Sequence, residues 1–145
     1  MSDIRTFEGA IARWLAKVES RKTMLFVNVY NGLRDSIMVG SPLTGAPGQP
    51  VDTATLKLSW LLGNRFTASE IDLVNLVGIL GTRLSYAPVI EEDNPAFYDP
   101  RGENRELPHV RKSTVGGPHS VKLTHANWDK IVDAALATII RETGG

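Results

Sequence analysis

Glu70-Ile71-Asp72-Leu73-Val74-Asn75-Leu76-Val77-Gly78-Ile79-Leu80 is the stretch on which the fold class turns. Ile71, Leu73, Asn75, Val77 and Ile79 alternate with Asp72, Val74, Leu76, Gly78 and Leu80, which is the two-residue period of a strand. Apolar residues fall on both faces, so the strand is expected to be internal to the fold or covered by a partner. Just upstream, Leu56, Leu58 and Trp60 alternate with Lys57 and Ser59 and predict a second strand. The two are expected to pair antiparallel across the Gly63-Asn64-Arg65 turn region.

Outward from these strands the period changes. Residues 41–50, Ser-Pro-Leu-Thr-Gly-Ala-Pro-Gly-Gln-Pro, hold three prolines and two glycines and predict a loop. Before it, Met24–Val39 carries Leu25, Val29, Tyr30, Leu33 and Ile37 at helical spacing, with Gly40-Ser41-Pro42 as its stop. Earlier still, Ile4, Phe7, Ile11, Trp14, Leu15 and Val18 draw one apolar stripe, interrupted by Gly9 and capped by Ser2 or Asp3. On the C-terminal side, Ser120-Val121-Lys122-Leu123 reads as a short strand. A last helix follows from Thr124 or Asn127, with Trp128, Ile131, Val132, Ala135, Leu136, Ile139 and Ile140 inward and Gly144-Gly145 as its stop. The expected fold is α+β: N-terminal helices and a C-terminal helix packed on a small, mostly antiparallel β-sheet, in a single domain over 1–145. Trp14, Trp60 and Trp128 each fall on an expected apolar face and are assigned to the core.

Composition narrows the chemistry. Sixteen basic residues balance sixteen acidic ones, so net charge draws the chain to neither nucleic acid nor membrane. With no cysteine there are no disulfides, thiolate metal sites or thiol nucleophiles. No apolar run is long enough for a membrane span, and Met1-Ser2-Asp3-Ile4-Arg5 has no leader-like apolar core, so a soluble intracellular chain is expected. His109, His119 and His125 lie near Asp99 and Glu103, but at spacings that match no compact ligand motif. A small metal-dependent enzyme using the histidines of 92–125 is therefore the alternative, not the preferred reading. The sequence has no Gly-x-Ser-x-Gly elbow and no phosphate-binding glycine loop. No catalytic residue, metal ligand or cofactor is assigned.

Residues 92–119 differ from the rest, with prolines at 95, 100, 108 and 118 and glycines at 102, 116 and 117. Such a stretch predicts a long loop or arm. Its charge is segregated: Glu91, Glu92, Asp93, Asp99, Glu103 and Glu106 against Arg101 and Arg105, then Arg111 and Lys112 with no acid beyond them up to 125.

Three stretches resemble a known family. Pro50-Val51-Asp52-Thr53-Ala54-Thr55-Leu56-Lys57-Leu58-Ser59-Trp60 is similar to the Pro-Val-Asp-Thr-Gly, six residues, Trp signature of the tail-completion (neck, head–tail connector) proteins of long-tailed phages. Tyr86-Ala87-Pro88-Val89-Ile90-Glu91 resembles the family's Tyr-Ala-x-x-Leu/Ile-Glu, and 117–124 its small-residue loop before the last helix. Ala54 stands where the family has Gly, and 94–116 is longer than its usual loop. The resemblance implies a structural virion protein. It would form a homo-oligomeric ring that completes the tail and joins it to the head connector, assembled in the bacterial host cytoplasm. A hexamer is the preferred stoichiometry, with a portal-matching dodecamer as the alternative. The implied partners are other neck proteins and the tail tube or tail terminator, with no membrane and no specific nucleic-acid binding, although DNA passes through such a lumen. In this reading Glu91, Glu92, Asp93, Asp99, Arg101, Glu103, Arg105, Arg111 and Lys112 are the candidate interface. Pro50, Val51, Asp52, Thr53, Trp60, Tyr86 and Ala87 are its structural motif.

Overall fold

The computed structural model describes residues 2–50, 55–93, 103, 105–106 and 116–143, with the side chains of 2–6 and 143 outside the description. Its longest element is α1, Ser2–Met38, so the two helices expected at the N-terminus are one. A lone Gly9 costs about 1 kcal/mol against Ala, too little to break a helix of this length. The polar interval Glu19–Thr23 contains neither Gly nor Pro. Within it Lys22 Nζ reaches Glu19 Oε1 at 3.4 Å, and Thr23 Oγ1 donates to Glu19 O at 3.2 Å. The expected stop holds. Gly40 is left-handed at φ 92°, and the Val39 and Gly40 amides both donate to Asp35 O. Residues 41–50 then form the expected loop.

The β-structure is smaller than expected. Leu56–Trp60 is not a strand: Thr55–Leu58 is the single-turn helix α2, followed by turns. Leu56 and Trp60 are buried while Leu58, midway between them, is exposed. Residues four apart satisfy both a period of two and a helical turn, and Leu58 decides for the turn. Residues 70–80 are a hairpin rather than one strand, with β1 (Glu70–Asp72) antiparallel to β2 (Val77–Ile79) in the register Glu70↔Ile79, Ile71↔Gly78 and Asp72↔Val77. Asp72 reverses the chain. Its Oδ1 accepts from the Val74 and Asn75 amides at 2.9 and 3.1 Å, its Oδ2 accepts from Asn75 Nδ2 at 2.7 Å, and Leu76 takes φ 53°. The pairing of 56–60 with 70–80 expected across Gly63–Arg65 therefore does not form, and 70–72 pairs with 77–79 instead.

Three helices complete the fold: α3 (Ala87–Glu92), α4 (Ser120–Ala126) and α5 (Trp128–Thr143). The strand expected at 120–123 is the first turn of α4. The α5 helix lies along α1, burying Ile131, Ala135 and Ile139 at four-residue spacing. Gly32 admits this approach, because a Cβ there would stand 2.7 Å from Ile131 Cγ2. Trp128, Leu136 and Ile140, expected inward, are exposed. Of the three tryptophans only Trp60 is core, 6% exposed and clustered with Ile37 and Met38 against Leu61, Leu80 and Val121. The fold is α+β, with its C-terminal helix packed on the N-terminal one and a two-stranded antiparallel sheet among the described residues.

A buried hydroxyl relay joins three segments. Ser36 Oγ lies 2.6 Å from both Thr44 Oγ1 and Thr124 Oγ1, and Asn127 Nδ2 donates to Thr44 O at 3.2 Å. Together these groups tie α1, the 41–50 loop and α4 with satisfied polar atoms.

Candidate assembly surfaces

Tyr86-Ala87-Pro88 opens a helix. Pro88 occupies the first turn of α3, where its missing amide would have had no intrahelical partner. Asp93 ends α3 in the left-handed region at φ 48°, its amide donating to Val89 O. One residue of this motif reaches across the fold. Glu91 accepts from the Lys122 amide at Oε1 (2.8 Å) and the Val121 amide at Oε2 (3.2 Å), and its carbonyl accepts from the His119 amide at 2.9 Å. His119 precedes α4 at φ 68° and supplies no side-chain cap. The Glu91 carboxylate does that work instead, a negative charge on the orphan amides of a helix start. Nearby, the Gly117 amide donates to Gly48 O at 3.0 Å. The end of α3 and the residues Gly117–His119 before α4 are thus tied to the body and to each other.

The remaining candidate residues divide. Glu92, Glu103, Arg105 and Glu106 are exposed and Asp93 is half-buried. Asp99, Arg101, Arg111 and Lys112 lie outside the described residues, as do Val51, Asp52, Thr53 and most of the expected 92–119 arm. Pro50 is half-buried. His125 is exposed, His119 is half-buried and His109 is undescribed. Among the described residues no three of His, Asp and Glu gather as a metal site would require.

Two apolar surfaces are open, the first missed by the sequence reasoning and the second one of the two alternatives it left for 70–80. The stripe on α1 assigned to the core is open to solvent: Phe7, Ile11, Trp14 (63%) and Leu15 are all exposed. Arg13 and Lys17, also exposed, flank Trp14. The second surface is the hairpin, where Leu73, Val74 (91%), Val77 and Ile79 are exposed. Its inner side rests on α1 through Gly78, where a Cβ would stand 2.6 Å from Tyr30 Cδ2. The Tyr30 hydroxyl donates to Ile79 O at 3.1 Å. Burial pushes the Tyr30 phenol above its ordinary value, with Ser69 and Arg34 opposing. On the outer side Glu70 and Asp72 stand opposite Ile79 and Val77. Hydrogen bonds from the Asn75 amide and side chain hold the Asp72 carboxyl below its ordinary 3.8. One signal for the first surface was present. The five polar residues Glu19–Thr23 divide the apolar pattern of α1 into a packed part and an open part.

Among the described residues no helix is long and apolar enough to cross a membrane. Comparison of the chain with known protein families, with curated proteins and with solved structures gives no match.

Proposed function

We propose that the chain is a subunit of a ring that acts by shape and contact rather than turnover, in the manner of the neck proteins that complete a phage tail and join it to the head connector. The observation that carries this reading is the open apolar stripe of α1. A monomeric protein seldom leaves a tryptophan, a phenylalanine and two large aliphatics in a row on one face, and such patches mark contacts with other proteins. The motif resemblance supplies the particular assembly. The Glu91 clamp gives its Tyr-Ala-x-x-Ile-Glu stretch a physical task, since its carboxylate joins α3 to the start of α4 and its carbonyl holds the His119 amide. The ring is a homo-oligomer, six-fold in preference to twelve-fold, meeting other neck proteins and the tail tube or terminator through its two faces. It belongs to the virion and is assembled in the host cytoplasm.

Electron microscopy of the purified full-length chain tests this reading. End-on views of rings with one rotational symmetry and an open centre are expected. Isolated single subunits in every field would overturn it.

A further inference from the structure

We propose that the N-terminal part of α1 docks on the β1–β2 hairpin of a second copy of this chain, a head-to-tail contact repeated from subunit to subunit. The inference rests on the ring reading above and names the contact that would build it.

Helix length supplies the first argument. The 37 residues of α1 span about 55 Å and the 16 of α5 about 24 Å, so α5 cannot cover α1 along its length. Phe7, Ile11, Trp14 and Leu15 stand at i, i+4, i+7 and i+8, all on one side of the open part. The hairpin offers a matching surface in Leu73, Val74, Val77 and Ile79.

Charge decides which surface meets which. Residues 7–22 carry Arg13, Lys17, Arg21 and Lys22 against Glu8 and Glu19, and Glu19 already pairs with Lys22. Residues 67–82 carry Glu70 and Asp72 and no cation at all. Helix against helix would bring cations together, and hairpin against hairpin would bring carboxylates together. Helix against hairpin joins opposite charges around apolar centres. The apolar residues supply affinity and the charges select the pairing. Two different patches on one subunit make a heterologous contact, which closes into a ring or propagates as a filament.

The absence of cysteine from the chain gives a clean cross-linking background. Ala10→Cys, one turn from Trp14, and Val74→Cys both alter small or exposed side chains and keep Trp14, so neither should disturb the fold. Treated with a short bis-maleimide, the two single variants co-expressed should yield a covalent dimer that neither yields alone. The double variant should yield a ladder. Efficient cross-linking of Ala10→Cys to itself would overturn the proposal in favour of a two-fold helix pair, and absence of any covalent product would overturn it outright. Native mass of the untreated protein separates this failure from failure of the ring. A defined multi-copy mass without the mixed product means the contact is wrong while the ring stands. A ladder with no single closed mass means the contact stands and closure fails. In a second arm, Lys17→Glu should weaken association about tenfold or more, and Glu70→Lys should restore it. Equal association in all three overturns the charge selection.

Discussion

Trp60 and Trp14 share a side chain and have opposite fates. Trp60 is buried, but its Nε1 has no hydrogen-bond partner among the described residues. Its contribution is therefore volume and apolar area, not polarity. Trp60→Ala should cost about 3–5 kcal/mol, as large buried truncations do, whereas Trp60→Phe should keep most of the stability. Equal urea midpoints for Trp60→Ala and the parent would contradict the assignment of this residue to the core. Asp72 gives a prediction in pH. Its carboxyl is held below the ordinary 3.8, so the unfolded turn binds protons more readily than the folded one. The turn is fully supported above that ordinary value and loses support as pH falls through the lower folded value. The Val74 and Asn75 amide resonances should titrate with a midpoint below 3.8, and a midpoint above it would contradict the hydrogen bonds drawn to Asp72. All three tryptophans looked alike in the sequence for a physical reason. Periodicity reports which side of a helix is apolar, and only tertiary structure reports what covers that side.

Elements were legible where their ends are set locally. Gly40-Ser41-Pro42 ended α1 as expected, because a left-handed Gly and a following Pro act on their own turn of chain. The runs at 56–60 and 120–123 were misread because four or five residues of alternating polarity fit a strand and a helical turn equally. The start of α4 is decided by a carboxylate 31 residues away from Lys122, which no local pattern contains. Removing that carboxylate tests the account. Glu91→Ala should cost about 0.5–2 kcal/mol, the range for loss of a helix cap. It should also speed amide exchange at Val121 and Lys122 first. Unchanged exchange at both amides would mean that α4 starts without Glu91. The hairpin was half legible: its residues alternate as strands do, but its reversal rests on Asp72 and Asn75, whose turn chemistry was overridden by the apolar alternation around them.

In the whole molecule, the segment between α3 and α4 joins two points already tied to each other, since the His119 amide meets Glu91 O directly. Replacing 95–115 with a short Gly-Ser bridge should therefore leave a cooperatively folded subunit with Gly116 and Gly117 still seated on the 41–50 loop. Loss of the unfolding transition would show that the segment belongs to the subunit's own core. The fold class was readable from the whole pattern, whereas the openness of the α1 stripe was marked only by the polar interval Glu19–Thr23, because its apolar residues repeat as those of a packed face do. The central claim is that the α1 stripe joins subunits and does not stabilise one. Native mass spectrometry of the parent chain beside an Ile11→Asp/Trp14→Asp variant, each with its urea midpoint, tests it most directly. The account predicts a multi-copy parent and a single-copy variant that still unfolds cooperatively, at a midpoint the parent approaches on dilution as its assembly-linked stability is lost. A single-copy parent, or a variant that loses its folded state, would contradict it.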